Sequence, residues 1–237
     1  MKRLIVLSGA GLSAESGIQT FRSDTGLWNN HDINVVCNYL TWKQNFKTVH
    51  NFYNDRRKEL KNKKPNLMHQ KIAEWQKQLK NKCILITQNI DDLLEKAGCE
   101  NVIHLHGYSN KLICTDCNYI YNDLKYKPYD FSNCLKCKSK WVKPLIVFFN
   151  EPAPEYRNLY EIFGNLTSND LVLIVGTSGT VINVNYLLSF SNSKNILNNL
   201  KAEPYINEKL FDYVFYEKAT TAALKIDEII KKEFNLV

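Results

Sequence analysis

The sequence of 237 residues lacks any apolar run long enough to cross a membrane. Its longest uncharged apolar runs are residues 144–149 and Leu171–Val175, whereas a membrane-spanning helix needs about 18–20 such residues. The apolar stretch at residues 4–7 is too short for the core of a signal peptide, so we expect a cytoplasmic protein. Low-complexity linkers are also absent, and the 44% hydrophobic content excludes a disordered chain.

Arginine is scarce, with only five residues among the 31 basic ones, although the net charge is +7. Surfaces that bind nucleic acids rely on arginine to contact bases and phosphates, and residues 108–143 contain none. The basic stretch at residues 56–64 is better explained as a solvated helix face than as a nucleic-acid patch. We therefore expect no nucleic-acid partner.

The cysteines indicate a metal site. Their odd number, seven, disfavours a closed disulfide framework. Four of them form two Cys-x-x-Cys pairs separated by 16 residues, namely Cys114 with Cys117 and Cys134 with Cys137. Four thiolates at this spacing predict one tetrahedral structural Zn²⁺ that has no open position for water. Such a site also indicates a reducing compartment.

Short apolar runs alternate with helical patterns, which predicts an α/β fold with a mainly parallel sheet. The expected strands are residues 4–7, 83–86, 145–148, Leu171–Val175, 195–197 and Tyr213–Tyr216, and the expected helices are 69–79, 91–97, 156–166 and 220–234. We assign residues 1–26, 67–107 and 144–237 to a Rossmann-type domain. A second, smaller domain would combine a helical insertion at 27–66 with a four-cysteine zinc ribbon at 108–143.

Two turns of small residues follow expected strands. Gly9-Ala10-Gly11 comes directly after the first strand, and Gly176-Thr177-Ser178 follows Leu171–Val175. A glycine turn lets backbone amides approach a pyrophosphate, although a tight packing turn has the same composition. Because the carboxyl ends of parallel strands share one sheet edge, the two turns together favour a dinucleotide cleft.

Polar residues follow the expected strand at 83–86. Asn89 and Asp91 can hydrogen-bond a ribose or a carboxamide, and the alternative is that they cap a helix. Further along, the segment His104-Leu105-His106-Gly107 contains two histidines. Histidine titrates near neutral pH, and Gly107 would leave room for a ligand beside His106, so we select His106 as the candidate general base and assign His104 a structural role.

The order of these motifs resembles that of the sirtuins. It comprises GAGLSAESGIQTFR at residues 9–22, TQNIDDL at 87–93, HLHG at 104–107, both cysteine pairs and the GTS turn at 176–178. The resemblance implies a Rossmann-type NAD site, a zinc-containing small domain and an enzyme that removes acyl groups from protein lysines. NAD would be consumed as a co-substrate, with release of nicotinamide and O-acyl-ADP-ribose.

The resemblance also implies roles for individual residues. His106 would take a proton from a ribose hydroxyl, and Asn89 would be a second catalytic residue. The implied cofactor-binding residues are Gly9, Ala10, Gly11, Ser13, Phe21, Arg22, Gln88, Asn89, Asp91, Gly176, Thr177, Ser178, Asn199 and Ala219. Of these, Phe21 and Arg22 would belong to a mobile loop that closes over NAD.

One pair of residues narrows the expected substrate. Tyr53 and Arg56 are three residues apart and so share a helix face. They resemble the Tyr-x-x-Arg of the sirtuins that remove succinyl and malonyl groups, and a guanidinium can pair bidentately with a distal carboxylate. The alternative is that Arg56 belongs to a solvated basic face. Val147 and Phe149 would contact the acyl-lysine peptide.

Two departures from the family pattern flank the expected peptide cleft. Asn150 stands where sirtuins usually have glycine, and Asn183 lies where Pro-Ala is usual. Alternative functions are a plain deacetylase, a mono-ADP-ribosyltransferase and, more remotely, a zinc-ribbon nucleic-acid-binding protein. A dehydrogenase is disfavoured because the first turn is not Gly-x-Gly-x-x-Gly. We expect a monomer.

Overall fold

A computed structural model describes residues 2–19, 32–122, 124–189 and 191–236. The strands in these ranges are β1 (Leu4–Ser8), β2 (Cys83–Thr87), β3 (Ile103–His104), β4 (Gly107–Cys114), β5 (Ile120–Tyr121), β6 (Val142–Ile146), β7 (Leu171–Val175), β8 (Lys194–Asn199) and β9 (Tyr213–Tyr216). The α-helices are α1 (Gly11–Ala14), α2 (Ile33–Val36), α3 (Phe46–Leu60), α4 (Leu67–Leu79), α5 (Leu93–Lys96), α6 (Tyr156–Gly164), α7 (Val184–Leu188) and α8 (Ala219–Phe234).

The larger sheet contains six parallel strands in the order β3-β2-β1-β7-β8-β9. Helices α4 and α8 pack on one face, where they meet Leu4 and Val6 of β1. Helices α6 and α7 pack on the opposite face, where they meet Ile5 and Leu7. Alternate side chains of a strand point to opposite faces, so a strand covered on both faces favours apolar residues at successive positions, as at residues 4–7 of β1.

This sheet confirms most of the predicted elements. The runs at residues 4–7, 83–86, 195–197, Leu171–Val175 and Tyr213–Tyr216 all lie in its strands. The four predicted helices also occur, as α4, α5, α6 and α8. None of the helices in the described ranges combines the length and apolar character that a membrane span requires.

The prediction for residues 145–148 is wrong. The strand there is β6, which ends at Ile146 and pairs antiparallel with β4 in a separate sheet of order β5-β4-β6. An apolar run cannot by itself identify its partner strand, because pairing is decided by residues far away in sequence.

Helix α3 joins the small sheet to the rest of the molecule. Its buried residues Val49, Phe52 and Tyr53 pack with Trp42 and Phe148 in one apolar cluster. On the same helix, the ring of Phe46 contacts Trp141, which directly precedes β6. The helical and cysteine-containing stretches therefore pack against each other, as the sequence suggested, although the exact domain boundaries stay a prediction.

Candidate active site at the carboxyl edge of the parallel sheet

Two glycine-containing turns interlock at the carboxyl ends of β1 and β7. Gly9 donates its backbone N–H to the Val175 carbonyl at 2.9 Å, and Gly11 donates to the Gly176 carbonyl at 2.9 Å. Gly176 has a φ of +67°, and a Cβ there would lie 2.3 Å from the Leu12 nitrogen. Any side chain at this position would force the two backbones apart. The turns thus form one continuous backbone surface, which is what a pyrophosphate needs for close approach.

Ser13 is the centre of a buried network beside these turns. Its Oγ donates to Asp91 Oδ2 at 2.9 Å and accepts from Asn89 Nδ2 at 3.1 Å. His69 Nε2 lies 3.4 Å from the same oxygen, while His69 Nδ1 accepts the backbone N–H of Asn66. Burial lowers the pKa of His69 to about 4, so the ring is neutral and its Nε2–H faces Ser13. Burial also raises the pKa of Asp91, against the opposing effect of its hydrogen bonds.

A second network connects the ends of β2, β7 and β8 at the same edge. Gln88, after β2, donates its side-chain amide to Thr177 Oγ1 at 2.9 Å. Asn199, at the end of β8, accepts the Thr177 N–H at 3.0 Å and donates to the Thr177 carbonyl at 2.9 Å. Ser178 follows in the same turn, and Ala219 begins α8 after β9. The structure therefore gathers these predicted cofactor residues around one edge.

His106 lies between β3 and β4, and both ring nitrogens have partners. Its Nδ1–H donates to the Gln88 carbonyl at 3.0 Å, which leaves Nε2 as the nitrogen with the lone pair. The hydroxyl of Tyr156, at the start of α6, donates to this Nε2 at 3.0 Å. Burial lowers the pKa of His106 below its ordinary value, opposed by the bond to Gln88. His106 is therefore a neutral base at neutral pH.

His104 has a different environment, in line with the structural role assigned to it. Its Nδ1 donates to the Asn89 carbonyl at 2.9 Å, and its Nε2 lies 2.7 Å from a carboxylate oxygen of Glu95. Both ring nitrogens are thereby engaged by the chain. This bond to its carbonyl also helps to hold Asn89 in place.

Tyr53 and Arg56 both lie on α3, but their side chains have different surroundings. Tyr53 is buried and stacks on Phe148 with ring centroids 5.9 Å apart, and burial raises the pKa of its hydroxyl. Arg56 is partly buried and pairs with Glu59 at 3.0 Å through Nη2. Its Nε is buried without a hydrogen-bond partner among the described residues. Within the described part of the chain, one donor of the Arg56 guanidinium is therefore left without an acceptor.

The basic stretch at residues 56–64 is not uniformly solvated, contrary to the sequence expectation. Arg57 is 0% exposed, donates to the Ser109 carbonyl at 3.2 Å and contacts the Asn54 side chain. Burial lowers the pKa of Arg57 to about 10. Charge alone did not reveal that this guanidinium joins α3 to β4.

Val147 and Phe149 follow β6, and their backbone N–H groups are already bonded. Val147 donates to the His106 carbonyl at 3.0 Å, and Phe149 donates to the Cys37 carbonyl at 2.9 Å. The Phe149 side chain is 52% exposed. These two N–H groups are therefore not available for hydrogen bonds to a peptide.

The two departures from the family pattern have local explanations. Asn150 has a φ of +63°, a conformation that favours glycine and that asparagine adopts more readily than most residues. Asn183 caps α7, because its Oδ1 accepts the Tyr186 N–H at 3.0 Å. Asn150 thus preserves a turn that glycine would also allow.

The four predicted zinc ligands converge. The Sγ atoms of Cys114, Cys117, Cys134 and Cys137 all lie within 4.8 Å of one another. Two of the Sγ–Sγ distances are 3.6 and 3.7 Å. Tetrahedral Zn²⁺ with Zn–S bonds of about 2.3 Å requires Sγ–Sγ distances of about 3.8 Å, so the thiols fit one zinc ion. All seven cysteines are free of disulfide bonds.

Two predicted site residues lie outside the described part of the chain, and two residues that contact the candidate site were not predicted from the sequence. Phe21 and Arg22, predicted to close over NAD, lie outside the described residues. Sequence reasoning in turn missed His69 and Tyr156. His69 and Asn66 form a capping box at the start of α4, a local signal that could have been found. Tyr156 carries no such signal, because its partner is 50 residues away.

The comparisons with known proteins agree with this geometry. The model of the Sir2 family matches residues 9–183, which is more than half of the chain. An NAD-dependent protein deacylase of Helicobacter hepaticus is 44% identical and covers 99% of both chains. An NAD-dependent protein deacylase of Campylobacter jejuni subsp. jejuni is 42% identical over 95% of this chain and 94% of its own.

Solved structures show the same relationship. A mutant Sir2 homologue in complex with ADP-ribose has a TM-score of 0.86 and 31% identity, covering 100% of this chain and 94% of its own. A complex of a Sir2 homologue with NAD has a TM-score of 0.83 and 31% identity, covering 98% of this chain and 90% of its own. The motif order, the glycine turns, the cysteine cluster and these matches lead to one conclusion: the chain belongs to the Sir2 family.

Proposed function

We propose that this chain, an NAD-dependent protein deacylase, uses His106 as the general base that accepts a ribose hydroxyl proton while the acyl group of a protein lysine passes to ADP-ribose. The observation that supports the proposal is which nitrogen of the His106 ring has the proton. Its Nδ1–H is committed to Gln88, so Nε2 has the lone pair that accepts a proton. The ring lies at the sheet edge where the glycine turns interlock. When bound, NAD supplies an electrophilic ribose carbon and the nicotinamide leaving group.

The residues present fit NAD. Gly9, Gly11 and Gly176 leave no space for a Cβ, so the two turns pack backbone to backbone beside the expected pyrophosphate. Asn89 and Asp91 are held by Ser13 in fixed orientations, which suits recognition of a ribose and a carboxamide. These assignments combine the family resemblance with the polar network of the described residues.

The protonation of His106 predicts a pH dependence. Because burial lowers its pKa, the neutral base persists below pH 6.5, the ordinary value for histidine. We expect kcat/KM for deacylation to stay level from pH 8 down to about 6.5 and to fall only at lower pH, as Nε2 becomes protonated. A pH–rate profile checks this, and an acid limb centred above pH 7 would contradict it.

We further propose that the preferred substrates carry acidic acyl groups such as succinyl and malonyl. The support is Arg56, whose buried Nε has no hydrogen-bond partner among the described residues. The Arg56 side chain is 21% exposed, so the guanidinium as a whole is open to a ligand, and a distal carboxylate that pairs with it would offset the cost of the buried Nε–H. Tyr53 lies on the same helix and stacks on Phe148, next to the expected peptide contact Phe149. The proposed acyl pocket would thus adjoin the peptide cleft.

Substitution of Arg56 tests this preference. With NAD and one lysine peptide carrying acetyl, succinyl or malonyl, we expect the wild type to favour the acidic groups. Arg56→Met should lower kcat/KM for the succinyl peptide about 10- to 100-fold, the value of a hydrogen bond to a charged group. Activity on the acetyl peptide should change less than about threefold, because an acetyl group has no distal carboxylate and makes no such bond with Arg56.

Lys58→Met is the matched control, since Lys58 is an exposed cation on the same helix. It should leave all three rates within about twofold, because an exposed charge contributes little. Thermal unfolding of both variants checks that they remain folded. If the acetyl peptide is the best substrate and Arg56→Met behaves like the wild type, the chain is a plain deacetylase and Arg56 serves only its pair with Glu59.

A further inference from the structure

The hydroxyl of Tyr156 donates a hydrogen bond to Nε2, the proton-accepting atom of His106. The distance from Tyr156 Oη to His106 Nε2 is 3.0 Å, and the two ring centroids are 6.0 Å apart. Because Nδ1–H already donates to the Gln88 carbonyl, the tyrosine hydroxyl must be the donor in this bond. The proposed base is therefore hydrogen-bonded by a residue of its own chain.

A neutral imidazole nitrogen has a single lone pair in the plane of the ring. The ribose hydroxyl whose proton His106 would accept needs that same lone pair. Two hydroxyl groups cannot both make a full hydrogen bond to it, so the tyrosine and the ribose compete for one atom.

Tyr156 is well placed to hold this position. It begins α6, and its backbone N–H is bonded to the Ala153 carbonyl. The preceding loop is fixed by the buried Lys143, which pairs with Glu151 at 3.1 Å. The ring also makes an edge contact with Tyr160 one turn later. Burial raises the pKa of Tyr156, so its phenol stays protonated and remains a donor.

We propose that Tyr156 is a positioning residue that occupies His106 Nε2 in the free enzyme and is displaced by the ribose hydroxyl of NAD. This inference rests on the proposed role of His106 as base. On displacement, one O–H···Nε2 hydrogen bond replaces another. In the reaction the ribose O–H bond breaks and an Nε2–H bond forms, while Tyr156 keeps its own proton. Tyr156 thus satisfies the buried lone pair until the substrate arrives.

A double-mutant cycle on NAD binding tests the competition. The dissociation constant of NAD is measured by calorimetry for the wild type, Tyr156→Phe, His106→Ala and the double variant. We expect Tyr156→Phe to tighten binding about two- to tenfold, the net value of one hydrogen bond that no longer has to be broken. On the His106→Ala background the same substitution should change the dissociation constant of NAD by less than about 1.5-fold, because the Nε2 lone pair for which Tyr156 and the ribose compete is absent.

A readout without NAD is the ¹⁵N chemical shift of His106 Nε2, which reports whether the unprotonated nitrogen accepts a hydrogen bond. It should show a bonded nitrogen in the wild type and a free one in Tyr156→Phe. Tyr160→Phe is the matched control on the same helix, because the Tyr160 ring is half exposed and the substitution keeps its ring contacts with Tyr156 and Tyr186. It should change neither the shift nor the affinity.

Unchanged or weaker NAD binding by Tyr156→Phe would overturn the proposed competition, as would an equal effect on the His106→Ala background. Failure of the underlying function has a different signature. If His106→Ala retains full deacylase activity, His106 is not the base and the proposed function fails. If His106→Ala is inactive while Tyr156→Phe leaves NAD affinity unchanged, only the inference about Tyr156 fails.

Discussion

Replacing His106 with alanine is expected to lower kcat for deacylation by about 10²- to 10⁴-fold, the usual contribution of a positioned general base. The reason is that the hydrogen bond to the Gln88 carbonyl fixes the tautomer of His106. Gln88 holds Nδ1–H, and Nε2 is the proton acceptor at the sheet edge. Alanine removes that acceptor and leaves the glycine turns, which contact each other through backbone atoms, unchanged. Steady-state assays on one acyl-lysine peptide at saturating NAD measure the effect.

His104→Gln is the comparison variant for this experiment. His104 lies two residues away, but both of its nitrogens are engaged by Asn89 and Glu95. We expect it to lower thermal stability and to retain kcat within about tenfold, because no acid–base step depends on it. If His106→Ala keeps more than a tenth of wild-type kcat, or if both variants lose activity equally, His106 does not act as the base.

Loss of the zinc site is expected to have the second large effect. Cys117→Ala with Cys134→Ala removes one ligand from each pair, so the chain should lose its bound zinc, one ion per molecule. Structural zinc sites contribute on the order of 10 kcal/mol of binding free energy, which is comparable to the whole stability of a typical domain. We therefore expect the sheet of β4, β5 and β6 to unfold. Metal analysis and thermal unfolding provide the measurements.

Deacylase activity should disappear with the zinc although no cysteine belongs to the proposed base site. β4 begins directly after His106, and β6 leads directly to Val147, whose N–H bonds the His106 carbonyl. Cys99→Ala is the control, because Cys99 is a buried cysteine of the main core and lies outside the metal cluster. It should retain full zinc content. A double variant that stays folded and active without zinc would show that the metal is dispensable.

Most of the parallel sheet could be predicted, because each central strand has a local signature. A strand buried on both faces favours apolar side chains at successive positions, so residues 4–7 of β1 and all of β7 are continuous apolar runs. The metal cluster was predictable for a similar reason, since two residues between paired cysteines suit a turn that directs both thiols to one ion. The residues at 145–148 form the same kind of apolar run, yet their strand belongs to the small sheet, because an apolar run does not identify its partner strand.

The burial of Arg57 and the surroundings of Arg56 were not predictable from the sequence. Both residues belong to one basic stretch, yet Arg57 reaches the Ser109 carbonyl, 52 residues away, while Arg56 pairs with Glu59 on its own helix. Sequence spacing gives the helix face, and only the packing of α3 against β4 shows which guanidinium is covered. The proposed acyl preference depends on that distinction.

By itself the sequence determined the fold class, the order of the motifs, the four metal-binding cysteines and the choice of His106 as the candidate base. Each of these properties is indicated by short sequence patterns whose members lie a few residues apart. Only the tertiary structure decided which atom of His106 is the acceptor and that Tyr156 occupies it. The physical reason is that hydrogen bonds from His106 to Gln88 and Tyr156 join three segments of the chain, and such contacts exist only after the segments have packed together.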